Sequence, residues 1–287
     1  MNKKEKRQLR EVQQAQIERE QRAENKAARK AQKLVLANQR ALELTAPVNN
    51  FGPVDVACLI HGNGYEWTYV ERLFNMVVRN LSRPVKFHVY TEHDRSVPPH
   101  MIKHILTDWP GISGPRKSWW YKMQLFRSDL FEGQLLYFDL DTVIVNRLDW
   151  ITSLHPQFFW APKDFRSLWR ANHTGINSSV MWWDTRAFDY IWQDFSRQDL
   201  NYVIRAYHGD QDFISASLDH RLLRYFEPMA AQSWRWQAKD GGMNFKSRMY
   251  LAPNTGTKID YRTSILIFHG NPKPHEIQDS VIVNFWK

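Results

Sequence analysis

The chain has 287 residues, which is enough for one large domain or two small ones with a buried core. Its apolar fraction of 43% and aromatic fraction of 14% exclude a wholly disordered protein. The single cysteine, Cys58, excludes a disulfide framework and a cysteine-rich zinc site, and we interpret it as a small core residue. The sequence has no apolar run of transmembrane length and no apolar signal-peptide core at its charged N-terminus, so we expect a cytoplasmic protein.

The net charge of +9 is unevenly distributed, because residues 1–45 carry 12 Lys and Arg against 6 Glu. This composition predicts a basic arm that is helical or partly disordered. Three roles stay open for the arm: a solvated helix, a segment that contacts a polyanion such as nucleic acid or an anionic membrane face, and a self-association helix. Residues 46–53, with two prolines and a glycine, are the predicted linker to a domain over residues 54–287.

From Val54 onward, apolar runs typical of strands alternate with helical spacing. The segment Met101–Trp109 is assigned to neither class. This alternation predicts an α/β domain with a largely parallel sheet and helices on both faces, which binds ligands at the carboxyl ends of its strands. The predicted strands are Val54–Ile60, Val85–Tyr90, Gln134–Phe138, Phe158–Trp160, Ser179–Trp183 and Ile265–Phe268, and the predicted helices are Trp67–Asn80, Ser118–Leu130 and Thr185–Phe195.

The strongest motif is a pair of carboxylates, Asp139 and Asp141, at the end of the apolar strand Gln134–Phe138. A chain leaving the strand can direct both side chains toward one hard divalent cation, such as Mn²⁺ or Mg²⁺. Asp-x-Asp also occurs by chance, and a carboxylate at a strand end often caps the next turn. The apolar strand before the pair favours the metal interpretation.

A second apolar strand, Ile265–Phe268, is followed directly by His269 and then by Lys273. The imidazole is a candidate third metal ligand, and the ammonium is suited to diphosphate oxygens. A lone histidine at a strand end is more often a polar residue with ordinary hydrogen-bond partners. Here its combination with the Asp pair and the lysine favours a shared site.

Two further segments carry polar side chains at the start of apolar elements. Asp210 and Gln211, in Gly209-Asp-Gln-Asp212, either cap a helix or face a sugar ring. Asn177, in the turn before the strand Ser179–Trp183, either stabilises that turn or binds a sugar hydroxyl group.

These segments, in this order, resemble the retaining GT-A glycosyltransferases of family eight, which include galactosyltransferases and glycogenin. The resemblance covers nearly all of the chain from Val54 onward. It rests on four segments and identifies the chain as a divergent member, with Ser179, Lys122 and His275 where the family has Gly, Arg and Trp. The segments are Leu136-Tyr-Phe-Asp-Leu-Asp141, Ile176-Asn-Ser-Ser-Val-Met181, Asp210-Gln-Asp212 and His269-Gly-Asn-Pro-Lys-Pro-His275.

The resemblance implies a UDP-sugar donor, a metal held by Asp139, Asp141 and His269, and retention of anomeric configuration. It further assigns residues 57–65, with His61 and Tyr65, to uridine binding. Donor phosphates would be approached by Lys122 and Lys273, and the donor sugar by Asp164 and Asn177. Gln211 would lie beneath the reacting carbon with Asp210 beside it, and front-face attack is favoured because an amide is a poor nucleophile.

The acceptor cannot be identified from these motifs. A glycan or protein hydroxyl is the leading expectation, and modified DNA is the alternative, since a basic arm and Trp-rich segments suit either sugars or bases. Two other classes stay open: a Mg²⁺-dependent nucleotidyltransferase or phosphotransferase, and a non-catalytic nucleic-acid-binding protein with a degenerate enzyme fold.

Overall fold

The computed structural model describes residues 52–108 and 118–287. The predicted basic arm, residues 1–45, lies outside the described residues, as does most of the predicted linker. The described strands are β1 Val54–Leu59, β2 Val85–Thr91, β3 Met101–Ile105, β4 Gln134–Phe138, β5 Thr142–Ile144, β6 Phe159–Ala161, β7 Val180–Asp184, β8 Leu223–Tyr225, β9 Ala231–Ser233, β10 Met243–Asn244, β11 Met249–Tyr250 and β12 Ile265–Ile267. The α-helices are α1 Trp67–Asn80, α2 Asp149–Thr152, α3 Thr185–Phe188, α4 Tyr190–Ser196, α5 Leu200–Ala206, α6 Asp210–Ser217 and α7 Ser280–Phe285.

A seven-stranded sheet with the order β3-β2-β1-β4-β7-β6-β8 forms the centre of the domain. Its strand pairs are parallel except for those of β7, which runs antiparallel to β4 and β6. The sheet is therefore mixed and mostly parallel with flanking helices, which confirms the predicted α/β class. Cys58 is fully buried in β1, as expected of a core residue.

A smaller three-stranded sheet has the order β5-β12-β9. The predicted strand Ile265–Phe268 belongs to this sheet as β12, antiparallel to β5 and parallel to β9. Its last residue, Ile267, pairs with Thr142 on one side and Ser233 on the other. The chain leaving β12 is thereby brought to the start of β5, directly after Asp141.

Helix α1 buries one apolar face in the core of the domain. Val70, Leu73 and Val77 are fully buried, whereas Val78 is 46% exposed. Each fully buried aliphatic side chain contributes roughly 1.5–3 kcal/mol relative to an exposed one. Burial of this apolar face therefore stabilises the packing of helix α1 against the core.

Two predicted helices differ from those observed. The predicted helix Ser118–Leu130 is a 3-10 helix that ends at Phe126. Its residues Trp120 to Phe126 are all buried, so no polar face enforces the 3.6-residue period of an amphipathic α-helix. The predicted helix Thr185–Phe195 is interrupted at Asp189, which separates α3 from α4. The unassigned segment Met101–Trp109 supplies the edge strand β3.

Helices long and apolar enough to cross a lipid bilayer do not occur among residues 52–108 and 118–287.

Candidate functional site

The strand order brings several chain segments to one edge of the main sheet. Strand β4 ends at Phe138, and because β7 is antiparallel to it, Phe138 pairs with Val180 at the start of β7. Asp139 follows β4 directly and donates its backbone N–H to the carbonyl of Ser179 at 2.7 Å. Strand β6 runs in the same direction as β4, so the chain toward Asp164 leaves at this edge as well.

Lys122 is a buried ammonium held between two predicted site carboxylates. Its Nζ lies 2.8 Å from Oδ1 of Asp139 and 3.2 Å from Oδ2 of Asp210. Burial lowers the pKa of Lys122, but the charges of Asp139 and Asp210 outweigh that effect and raise it. The side chain therefore carries a stable positive charge at the end of β4.

Two neutral side chains complete this cluster. The Tyr137 hydroxyl donates to Oδ1 of Asp139 at 2.6 Å, and the Ser178 hydroxyl donates to Oδ2 of Asp210 at 2.7 Å. Burial raises the pKa of Tyr137 and the charge of Asp139 adds to the rise, so the phenol keeps its proton. Both carboxylates are thus engaged by donors that fix their positions.

Asp141 lies at the centre of a second cluster. Its Oδ2 accepts from Nζ of Lys273 at 2.5 Å and from the Tyr65 hydroxyl at 2.8 Å. Burial raises the pKa of Asp141, the Lys273 ammonium opposes that rise, and the like charge of Asp139 adds to it. Lys273 also lies over the Tyr65 ring, 5.3 Å from its centroid. Three residues predicted from separate segments are therefore in contact.

The backbone next to His269 contacts Asp141, but the His269 side chain has another partner. The Phe268 N–H donates to the carbonyl of Asp141 at 3.3 Å, while Nε2 of His269 lies 2.6 Å from the Ser233 hydroxyl. Burial, together with the charge of Arg235, lowers the pKa of His269 to about 4. The imidazole is consequently neutral at pH 7, which is the form that binds metals.

The donor set of Asp139, Asp141 and His269 fits a hard divalent cation in kind, with two carboxylates and one neutral imidazole. As arranged here, each carboxylate binds a lysine ammonium and His269 contacts Ser233. Within the described parts of the chain, no three His, Cys, Asp or Glu side chains are grouped closely enough to hold a metal ion.

A third network surrounds Asp164, which is 4% exposed. Its Oδ2 accepts from Nε2 of Gln211 at 2.9 Å and from Nε of Arg166 at 2.6 Å, and it lies 2.7 Å from Nε2 of His173. Asp164 also caps a short 3-10 helix by accepting from the Arg166 N–H at 2.8 Å. Because its Nε2 donates to Asp164, the side-chain amide of Gln211 is held in one orientation.

The other end of Gln211 connects this network to the first cluster. Its Oε1 lies 3.4 Å from Nδ2 of Asn177 and 3.4 Å from the backbone N of Ser178. Asn177 also accepts from the Ser179 N–H at 3.1 Å, so it stabilises the turn before β7 as well. Ser178 continues the connection, because its backbone N–H contacts Gln211 and its hydroxyl group donates to Asp210.

His61 lies in the loop after β1, next to the 3-10 helix that carries Lys122. Its ring stacks on Tyr121 with 3.9 Å between centroids, and its Nε2 lies 3.7 Å from Asp108. Among the described residues, His61 forms no hydrogen bond with the Lys122 or Asp141 cluster. It is held beside these clusters through Tyr121.

The motif analysis missed several residues that shape the site. Glu92 accepts from the Gly62 N–H at 2.5 Å and from Arg95 Nε at 2.9 Å, and Arg95 also donates to the Gly62 carbonyl at 2.7 Å. Gly62 has φ +66°, a left-handed conformation that other residues adopt at a cost. Glu92 follows β2 directly. The criterion that identified Asp139, a carboxylate at the end of a strand, would therefore also have identified Glu92.

Comparisons with known proteins found neither a matching protein-family model nor a matching curated protein. Solved structures do match. The galactosyltransferase LgtC in complex with donor and acceptor sugar analogues has a TM-score of 0.55 at 12% identity, over 82% of this chain and 97% of that one. An active-site Gln→Glu mutant of LgtC has a TM-score of 0.53 at 12% identity, over 79% and 91% of the two chains.

The bifunctional glycosyltransferase WbbM in its apo form matches with a TM-score of 0.50 at 14% identity, over 80% of this chain and 48% of that one. At these identities the similarity concerns the fold. The domain is therefore built like GT-A glycosyltransferases, with a Rossmann-like, mostly parallel sheet.

Proposed function

We propose that the protein is a metal-dependent glycosyltransferase that moves a sugar from a UDP-sugar to an acceptor hydroxyl group with retention of configuration. The observation that carries the proposal is the arrangement at one edge of a glycosyltransferase-like sheet. Two carboxylate–lysine clusters, Lys122 with Asp139 and Lys273 with Asp141, lie there beside the Asp164–Gln211 network. Cations for a diphosphate are thus close to polar groups suited to a sugar.

The donor would lie across these clusters. His61 and Tyr65 are assigned to uridine, Lys122 and Lys273 to the diphosphate oxygens, and Asp164 with Asn177 to the sugar hydroxyl groups. Tyr65 fits this assignment because burial and the Asp141 charge raise its pKa, so that it binds as a neutral hydrogen-bond donor. Ammonium groups that now neutralise carboxylates are also the natural partners of phosphate oxygens.

Asp139, Asp141 and His269 would hold Mn²⁺ or Mg²⁺. When bound, the cation would offset the negative charge that develops on the departing diphosphate. The ammonium groups of Lys122 and Lys273 would stabilise the same negative charge from the protein side.

In the proposed reaction, the bond between the anomeric carbon and the diphosphate oxygen breaks, and a bond from that carbon to the acceptor oxygen forms. UDP leaves, and the proton of the acceptor hydroxyl passes to the departing diphosphate. Gln211 would lie beneath the reacting carbon, oriented by Asp164, with Asp210 beside it. The mutated active-site residue of LgtC is also a glutamine, which supports this assignment. Wild-type turnover in Gln211→Ala would contradict it.

The test is UDP release from a panel of UDP-sugars with Mn²⁺, because slow hydrolysis of the donor would release UDP without an acceptor. We expect release with one sugar, loss of release in Asp141→Asn, and retention in the control Asp129→Asn. Asp129 is an exposed carboxylate whose ion-pair partner within residues 52–108 and 118–287 is Arg127, and a surface pair of this kind contributes little to stability.

Two outcomes would overturn the proposal. One is the absence of both UDP release and calorimetric UDP binding in the presence of Mn²⁺. The other is transfer of a nucleotidyl or phosphoryl group in place of a sugar, which is the product of the alternative enzyme class. UDP binding without release would instead mean that turnover requires the acceptor.

A further inference from the structure

Three aromatic side chains form a continuous surface that begins at His269, and we call Trp236, Trp169 and Phe245 the ring platform. The Trp236 ring lies 4.1 Å from the His269 ring, and Trp169 packs edge-on against Trp236 with 4.7 Å between centroids. Phe245 lies 4.8 Å from Trp169. Trp169 is 41% exposed, so the platform extends from the proposed transfer site outward to solvent.

Each ring of the platform has an exposed cation beside it in the chain. Arg170 follows Trp169, Arg235 precedes Trp236, and Lys246 follows Phe245. Among the residues that the structure describes, none of these three cations forms an ion pair with a carboxylate. The Arg235 guanidinium is directed toward the turn after His269, since a Cβ added to Gly270 would lie 3.9 Å from its Nη1.

Aromatic rings flanked in the sequence by exposed cations fit a ligand that carries both flat bases and phosphates. Bases stack on aromatic side chains regardless of sequence, and Lys and Arg track the phosphate backbone. A neutral glycan would use the rings but would leave the three cations without a partner. The charge pattern therefore favours a nucleic-acid strand.

We propose that the ring platform binds single-stranded nucleic acid, or a nucleotide extruded from a duplex, and presents its hydroxyl group as the acceptor of the transferred sugar. This inference rests on the proposed glycosyltransferase function. The bonds formed and broken are those of the transfer reaction proposed above. The acceptor oxygen forms a bond to the sugar, its proton passes to the departing diphosphate, and UDP leaves. The platform thereby assigns an acceptor class that the motifs left open.

The experiment measures binding of a fluorescein-labelled single-stranded DNA of mixed sequence to the full chain by anisotropy, at several salt concentrations. The variants are Trp169→Ala and Lys246→Gln. Their matched controls are Tyr202→Ala, which removes a ring that is 59% exposed, and Lys86→Gln, which removes an exposed cation on β2. The basic arm is present in every variant, so differences between variants report on the platform.

We expect Trp169→Ala to weaken binding by roughly five- to 150-fold through the loss of base stacking. Lys246→Gln should weaken binding at low salt and reduce the slope of log affinity against log salt by about 0.7, the value of one phosphate contact on a single strand. Both controls should match the wild type. Lys246 is exposed, so its replacement should leave the fold intact. The Lys246→Gln variant therefore tests the proposal even if Trp169→Ala disturbs the structure around Trp169.

Binding that is equal in all five proteins would overturn the inference, because it would assign the strand to the arm. So would displacement of the strand by neutral or acidic oligosaccharides that bind more tightly and share the sensitivity to Trp169→Ala. Calorimetric binding of UDP with Mn²⁺, measured on the same proteins, keeps the two proposals apart. Intact UDP binding without a platform effect would contradict the acceptor assignment alone, and absent UDP binding would contradict the donor site.

Discussion

Replacing Lys122 with methionine tests the charge balance at the end of β4. The substitution removes the ammonium and keeps most of the apolar volume. It leaves Asp210, which is 6% exposed, and the half-buried Asp139 without their shared cation. Among the described residues, each carboxylate then keeps one neutral hydroxyl donor from a side chain, Ser178 for Asp210 and Tyr137 for Asp139.

The expected cost follows from the two distances, 2.8 Å and 3.2 Å, between Nζ and the carboxylate oxygens. Removing one member of a buried ion cluster costs about 3–5 kcal/mol, because the remaining charges stay desolvated. With a denaturant dependence of about 2–3 kcal/mol per molar urea for a domain of this size, the unfolding midpoint should fall by roughly 1–2.5 M.

The assay is urea unfolding followed by tryptophan fluorescence at pH 7 without metal, with Lys86→Met as the control. Lys86 is exposed, so its replacement should change the free energy of unfolding by no more than about 0.5 kcal/mol. A similarly small change for Lys122→Met would refute the reasoning, since it would mean that the two carboxylates do not depend on the ammonium.

Three further predictions concern other parts of the domain. Glu92→Gln weakens the contacts with Gly62 and Arg95, and we expect a loss of about 1–2 kcal/mol in urea unfolding together with weaker calorimetric UDP binding; unchanged values for both would contradict it. Burial and the charge of His88 lower the pKa of His104 to about 4 in the folded state, so the unfolded chain takes up this proton first as pH falls. Stability should therefore fall between about pH 6.5 and 4, by about 1–2 kcal/mol after allowance for solvent screening, and His104→Gln should remove that part of the pH dependence of the urea midpoint. Cys58 is fully buried and its pKa is raised by burial, so a thiol reagent should modify it only in denaturant; labelling within minutes in native buffer would contradict the structure.

The sequence predicts the central sheet well because buried strands leave a strong local signal. Leu135–Phe138 is an uninterrupted run of apolar and aromatic residues, and the predicted bounds Gln134–Phe138 agree with β4. The carboxylates after it could be identified for the same reason. Fully buried segments are harder to assign, as Trp120–Phe126 shows: because all seven residues are buried, their pattern does not distinguish an α-helix from a 3-10 helix.

Side-chain pairing within the site could not be predicted from spacing. The contact of Lys122 with Asp139 and Asp210 depends on where three separate segments meet in the folded sheet. The hydrogen bond of His269 to Ser233 depends on the pairing of β12 with β9. Motifs identify which residue types come to an edge, whereas their partners are fixed by tertiary packing.

The small sheet has a consequence for the order of folding. Lys273 lies 132 positions after Asp141, and β5 pairs only with β12 among the described strands. Contacts of such long sequence separation form slowly, because the loop between them must close first. During synthesis, the segment that ends in Asp141 would emerge well before its lysine, and β5 would remain an unpaired strand in the meantime. The contact between Asp141 and Lys273 is therefore expected to be among the last parts of the domain to assemble, and partly synthesised chains would carry Asp139 and Asp141 without that lysine.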